Sequence, residues 1–415
     1  MRVQRMLRLL QQNTVTIFLL PACFCAMSTV CLADGREMLC SEGYGSFSSK
    51  FTTGITVSVE PIRKAELASR VCSASLNWKG GDLAVAPRAS EVDIDALGVD
   101  LGFGSPVVAL EIRKIGSDKL VQYEIYSLKK PVQRLRTLTG GDYFSAADTD
   151  LDGRVEIWTD DAGAIDGFEG LPLSTFDAAP TLVLRFEQHR LMDVSAEFQP
   201  EYDRQIAALK AELDPQQLSL FKSSDGRLSD RSSMPMDQAH ALVTAKIKVL
   251  EIVWAYLYSG RELEAWSTLD AMWPAADAGR IRASIEKARA DGMHSKVDGV
   301  SQHISGFHVK KHAMVFDAEL QYAKDDHMNQ FQADAMPKEI LLRRPPLPQT
   351  AQTSMKTEVV FNLVIDSAGK VRSAKPEGNA EKDLIAATAD WKFIPAFKNG
   401  HAVASRMRYG VTPYQ

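Results

Sequence analysis

Apolar and polar positions follow a period of two through the first half of this 415-residue chain and a period near 3.6 after Pro200. Strand-like runs fall at 54–59, 107–112, 121–126 and 181–186, separated by turn clusters such as Gly80-Gly81-Asp82 and Gly140-Gly141-Asp142. That pattern, from Phe51 to about Phe198, predicts an all-β sandwich or a fragment of a propeller-like sheet. Helical spacing then predicts helices over 202–213, 237–258, 261–273 and 278–290, with a break at Gly260. Trp254, Trp266 and Trp273 lie on these helices and are expected in the core. Near the C-terminus the pattern returns to strands. Alternation over 357–365 predicts a half-buried strand, Asp366-Ser367-Ala368-Gly369-Lys370 supplies a turn, and Val371 resumes the extended run. Leu384, Thr388 and Trp391 share one face of a short helix over 380–391, which Pro395 ends. A turn at Asn399-Gly400 leads into a closing strand over 403–411. The fold class is therefore multidomain α+β. An N-terminal all-β domain covers 34–198, a central helical hairpin or bundle covers 199–295, a connecting segment covers 296–335, and a small two-layer α+β domain covers 336–415.

The first 33 residues stand apart. Arg2, Arg5 and Arg8 precede an uncharged run over 14–33, and Cys31-Leu32-Ala33 before Asp34 has the small residues of a cleavage site. The run reads as an export signal, removed near Asp34 or kept as a membrane anchor, since about 20 apolar residues span a bilayer. Cys23, Cys25 and Cys31 belong to this leader, which leaves Cys40 and Cys72 as a pair suited to one disulfide in an oxidising compartment. Such a crosslink contributes about 3–4 kcal/mol in the chain-entropy picture. The formal charge of −5, with no basic stretch interleaved with aromatics, argues against nucleic acid as a partner. The tail from Met336 is the exception, with 12 basic against 7 acidic side chains, a balance that favours an acidic partner surface or a solvated basic face.

The strongest chemical motif is Asp148-Thr149-Asp150-Leu151-Asp152-Gly153-Arg154-Val155-Glu156. Carboxylates at alternate positions, followed by glycine, wrap a loop around a hard cation. Ca²⁺ takes six to eight oxygens at about 2.3–2.6 Å, from side chains and a carbonyl. Asp148, Asp150 and Asp152 are the expected side-chain ligands, Arg154 offers its backbone carbonyl, and Glu156 closes the site. An EF-hand needs an acid at loop position twelve, where Thr159 stands, and the flanks look extended. The loop instead resembles the calcium loop of FG-GAP or VCBS-type β-repeats, with Glu156 in place of the more usual aspartate, and implies a structural Ca²⁺. His303, His308 and His312 tempt a zinc reading, but His308 and His312 on one strand stand about 13 Å apart, too far for one ion. G-x-S-x-G, H-E-x-x-H, P-loop and dinucleotide signatures are absent from the sequence, and the expectation is a protein that is not an enzyme.

Taken in order, Asp366-x-x-Gly369-x-Val371, the apolar helix, Trp391-x-Phe393-x-Pro395-Ala396 and Asn399-Gly400 resemble the C-terminal domain of the TonB family of energy transducers. The resemblance covers roughly a fifth of the chain. It implies a non-catalytic module that grips an extended peptide of an outer-membrane receptor by strand addition, because an open strand edge offers unpaired N–H and C=O groups. Arg406, Arg408 and Tyr409 in the last strand are the candidate partner contacts. Tyr256, Gly260, Ala265 and Leu269 resemble the packing positions of a single tetratricopeptide unit. The chain departs from the TonB pattern in two places: the segment 14–33 holds no histidine, and the Pro-rich spacer shrinks to Pro345-Pro346-Leu347-Pro348. Two readings stand. The first is an energy-transducing protein of a Gram-negative envelope, anchored in the inner membrane through 14–33. The second is an exported periplasmic binding or scaffold protein that uses the terminal domain as an adaptor. In both, pairing through the terminal strand edge also permits a homodimer.

Overall fold

The computed structural model describes residues 40–41, 45–62, 71–116, 120–229, 233–301 and 358–411, together with the backbone of three short strands at 317–321, 329–330 and 338–343. The leader 1–33, the three histidines and the Pro-rich run 345–348 lie outside the described residues. The chain mixes α and β structure, with most strands in antiparallel sheets and seven α-helices among the described residues.

The first sheet is a meander. Strands β1 (Cys40–Ser41), β2 (Phe47–Lys50), β3 (Thr56–Ile62), β4 (Val71–Trp78), β5 (Gly81–Val99), β6 (Val107–Lys114), β7 (Gln122–Ser127) and β8 (Arg134–Thr139) follow one another in chain order. From β2 to β8 each pairs antiparallel with the next, and β1 pairs with β5. Cys40 on β1 and Cys72 on β4 bring their sulfurs to 2.13 Å with Cα atoms 5.9 Å apart. A second sheet is built from β9 (Phe144–Ala147), β10 (Glu156–Asp160), β11 (Thr181–Glu187) and β12 (Arg190–Asp193), with β13 (Gly299–Val300) added parallel to β12.

Burial explains why β6 reads as a continuous apolar run. Val107 and Ala109, with Tyr123 and Ile125 of β7, join one core cluster; Val108, Leu110 and Ile112, with Tyr126, join another. The sheet is therefore buried on both faces, and successive side chains enter different cores. The first cluster runs on through Phe144, Ile157 and Val183 of the second sheet into the helices. There Trp254 packs on Phe168 and Phe176 at ring separations of 5.3 and 5.5 Å, and Trp273 on Phe221 at 4.9 Å. The helices run over Gln199–Glu212, Met236–Tyr258, Glu262–Met272 and Ala278–Asp291, close to the periodicity. Pro215–Lys222 is a further helix, started by Pro215 at its first turn and by Asp214, whose Oδ1 accepts the Gln216 N–H at 2.7 Å.

The remaining strands are β14 (Asp317–Gln321), β15 (Asn329–Gln330), β16 (Lys338–Arg343), β17 (Val359–Ile365), β18 (Val371–Pro376), β19 (Lys392–Ile394), β20 (Ala396–Lys398), β21 (His401–Val403) and β22 (Ser405–Val411). A sheet in the order β14-β22-β17-β18 holds Phe361, Leu363, Trp391, Phe393 and Tyr409 in its own core, with the helix Lys382–Ala387 contributing Leu384. The helix is shorter than its sequence pattern, because a 3-10 turn over Thr388–Asp390 tightens its end before Trp391. Hairpin β20-β21 turns through Asn399 and Gly400 at φ of 51° and 77°, and lays Phe397, beside Ile394 of β19, on the outer face of the first sheet.

Gly369 has φ of 88°, and a Cβ there would run into the carbonyl oxygen of Phe393, whose N–H donates to Gly369 O at 2.7 Å. Gly400 shares the left-handed backbone but has nothing within 4 Å. In urea denaturation Gly400→Ala is expected to cost about 1–2 kcal/mol, the left-handed penalty alone. Gly369→Ala carries the same penalty plus the steric clash, so its loss must be clearly larger; equal losses would contradict the close approach.

Candidate metal centre

The Asp-rich loop closes the β9–β10 hairpin, with Ala147 opposite Glu156 in the register. The structure thus agrees with extended flanks on both sides. That register brings the start and end of the loop together, and Glu156 Oε2 accepts the Thr149 N–H at 3.0 Å. Leu151 at φ 60° and Gly153 at φ 85° curl the chain between them. Asp148 Oδ2 accepts the Gly153 N–H at 3.1 Å, and Asp150 Oδ1 accepts the Asp152 N–H at 3.2 Å. Asp152 accepts the Arg154 N–H at 2.8 Å through Oδ1 and the Arg154 guanidinium Nε at 2.6 Å through Oδ2. Arg154 is exposed, whereas Asp148 and Glu156 are each only 1% exposed.

Oxygens of Asp148, Asp150 and Asp152 all lie within 4.8 Å of one another. Two ligands bound at about 2.3–2.6 Å to one ion stand no more than about 5 Å apart, so the cluster has the right size. Two guanidiniums border it, Arg154 paired with Asp152 and the buried Arg185 with Nη1 at 3.6 Å from Glu156 Oε1, and neither pairs with Asp148. Burial, with the charges of Asp366 and Asp152, pushes Asp148 up to about 7, although the Ser367 hydroxyl opposes the shift. Burial pushes Glu156 up to about 8, with the charges of Asp150 and Asp148 adding to it. Asp150 is raised by burial and by Asp152, while Arg154 outweighs burial at Asp152 and lowers it. Asp148 Oδ1 is buried without a hydrogen-bond partner. A divalent cation at that oxygen would satisfy it and offset the crowded charge. On these grounds Asp148, Asp150 and Asp152 could hold a metal ion. Glu156 stands outside that cluster: its Oε2 takes the Thr149 N–H and its Oε1 lies 3.6 Å from Arg185 Nη1.

The turn between β17 and β18 sits on this loop, a contact absent from the sequence reading. Asp366 is fully buried; its Oδ2 accepts the Asp148 N–H at 3.1 Å, and its Oδ1 accepts the N–H groups of Ala368 and Lys370 at 2.9 and 2.8 Å. Ser367 Oγ donates to Asp148 Oδ2 at 2.8 Å. Around them Lys370 Nζ reaches Ser145 Oγ at 3.1 Å, Arg372 Nη2 reaches Thr149 O at 3.1 Å, and Lys392 Nζ reaches Ala146 O at 2.6 Å and Asp95 Oδ1 at 3.4 Å. Asp95 Oδ2 accepts from Tyr123 OH and Ala146 N, each at 2.7 Å. Burial and the neighbouring Lys392 charge push Lys370 down to about 8. The sequence reading places Asp366 in a turn and in the TonB-like motif, not at the metal loop, and does not single out Asp95 or Lys392.

The other candidate residues lie elsewhere. Arg406 and Arg408 are exposed on β22, and Arg408 Nη2 pairs with Glu377 Oε2 at 2.7 Å. Tyr409 is corrected: it is fully buried, edge-on to Trp391 at 5.5 Å and Phe393 at 5.8 Å, so it is a core residue and not a surface contact. The period of two decides this, since Tyr409 must face opposite to Arg408. The Cys40–Cys72 pair lies in the first sheet, away from the loop.

Lys392→Met removes a cation whose side chain is 5% exposed from a carboxylate that is 1% exposed. Breaking such a pair from one side costs about 3–5 kcal/mol, read as a shift of the denaturation midpoint. Arg408→Ala, which breaks a solvent-exposed pair, is expected to leave the midpoint in place. A scan of protein-family models finds none that matches this chain, and comparisons with curated proteins and with solved structures likewise give no match.

Proposed function

We propose that this chain is an exported, non-catalytic protein of the cell envelope whose C-terminal sheet takes up an extended segment of a partner protein along β22, beside a loop that holds a structural Ca²⁺. The observation that carries this reading is the outer edge of β22. Its inner edge pairs antiparallel with β17, and its outer edge carries β14 in parallel, Asp317 opposite Arg406 and Gln321 opposite Tyr409. That edge accepts an extended segment through backbone hydrogen bonds, the chemistry of strand addition, and the chain fills it with a segment of its own. The exposed Arg406 and Arg408 flank it and suit an acidic partner peptide.

The order of motifs from Asp366 to Gly400 supports a TonB-like module, and the proximity of Cys40 and Cys72 supports an oxidising compartment. Between a transducer and an exported adaptor, the buried contacts of Asp366 and Lys392 favour the adaptor. A terminal sheet held to the hairpin by these contacts suits an adaptor better than a module that must reach across an envelope. Among the described residues no helix is long and apolar enough to cross a membrane, and the segment 14–33, on which an anchor depends, lies outside them.

Two experiments test this reading. Synthetic extended peptides from outer-membrane receptors are titrated against the wild-type chain and Ala318→Pro, which deletes an N–H from β14 and weakens the chain's own strand. Saturable binding, at least tenfold tighter in the variant, is expected; no saturable binding by either protein rejects the docking role. For the ion, Ca²⁺ at about 100 times its Kd stabilises a native state that alone binds it by about 2.7 kcal/mol. The melting temperature should therefore rise with Ca²⁺ and fall back with EGTA, and a transition indifferent to both would remove Ca²⁺ from the account.

A further inference from the structure

We infer that the Asp-rich loop and the C-terminal turn Asp366–Lys370 form one linked site, in which Ser367 positions Asp148 for the cation and the bound cation in turn secures the docking of the turn. The inference rests on the Ca²⁺ reading of the loop and adds to it residues that the loop motif does not contain.

Besides the Leu151 N–H on its carbonyl at 3.4 Å, Asp148 is fixed by three hydrogen bonds. One comes from the loop itself, Gly153 N to Oδ2 at 3.1 Å. The other two come from more than two hundred residues away: Ser367 Oγ donates to the same Oδ2 at 2.8 Å, and Asp366 Oδ2 accepts the Asp148 N–H at 3.1 Å. With two donors on Oδ2, the carboxylate cannot rotate, and Oδ1 is left buried, without a partner. Outer contacts that orient a metal ligand in this way commonly change affinity by about 10–100-fold.

Charge argues for the reverse direction. Docking the turn brings the buried carboxylate of Asp366 against that of Asp148, a like pair. Lys370, Arg372 and Lys392 face this seam from the C-terminal side and reach Ser145, Thr149, Ala146 and Asp95 rather than Asp148. On the loop side Arg154 pairs with Asp152 and Arg185 stands beside Glu156, so a divalent ion at Oδ1 supplies counter-charge to Asp148, which neither arginine pairs with. Because coupling between two equilibria is reciprocal, whatever the turn does for ion affinity the ion does for docking.

The test is calcium titration calorimetry of the chain and its Ser367→Ala variant, with hydrogen exchange of both in Ca²⁺ and in EGTA. Expected are at least fivefold weaker Ca²⁺ binding by the variant, and Ca²⁺-dependent slowing of exchange in wild type at Asp148–Gly153 and Asp366–Lys370 together. The helix Met236–Tyr258 serves as the folding control and should exchange alike in both proteins. Wild-type binding with protection confined to the loop, and unchanged affinity in Ser367→Ala, would overturn the link while leaving the metal reading intact. Absence of Ca²⁺ binding by the wild type would overturn both.

Discussion

Lys392 extends its amine to a position where Asp95 and the Ala146 carbonyl receive it, and Asp366 carries a carboxylate into the same seam to receive the backbone of Asp148. Groups of this kind are costly to desolvate and recover the cost only in one geometry. A seam of apolar side chains would let the C-terminal sheet slide or rotate against the β9–β10 hairpin with little change in free energy. Here any shift strands a buried charge or a backbone N–H. The polar seam therefore specifies where the C-terminal sheet sits, whatever its net contribution to stability, and the other contacts of that sheet depend on it.

Those contacts divide between two faces. The Asp366 turn and Lys392 meet the second sheet, while Ile394 and Phe397 lie on the outer face of the first. Gly369 joins the two arrangements, because its carbonyl accepts from Phe393 and its missing Cβ lets β19 pass close by. The loop that curls around Asp148 is thus bordered by a rigid hairpin on one side and by a turn locked through Phe393 on the other. Under the proposed metal reading, carboxylate oxygens held in this way are preorganised for an ion rather than gathered by it.

Much of the secondary structure was legible, because hydrophobic spacing reports on the face an element buries. The helices at Met236–Tyr258 and Ala278–Asp291 and the strands at Val107–Lys114 and Val359–Ile365 start and stop close to where their patterns do. The long strand Gly81–Val99 was not legible. Gly81–Glu91 mixes exposed, half-buried and buried positions whereas Val92–Val99 is buried throughout, so one strand reads as two unlike segments, with bulges at Ala89/Glu91 and Ile94/Ala96 blurring the period. The loop ligands were readable as a local motif. Ser367 and Asp366 were not, since what gives them meaning is a partner more than two hundred residues away and nothing nearby marks it. Tyr409 shows the opposite case: strand alternation already held the answer, and grouping it with its arginine neighbours overlooked it.

The placement of the last strands has a consequence for how the chain is made. The outer face of the first sheet, with Val57, Leu76, Val108 and Leu110, is covered in part by Ile394 and Phe397. Synthesis runs from the N-terminus, so this part of the face stays bare until Ile394 and Phe397 have emerged. During that interval the chain presents a broad apolar sheet of the kind that chaperones bind and that aggregates when they do not. Loss of β19 and β20 would make that transient exposure permanent, so two strands of three residues each bear on the chain's solubility during biogenesis.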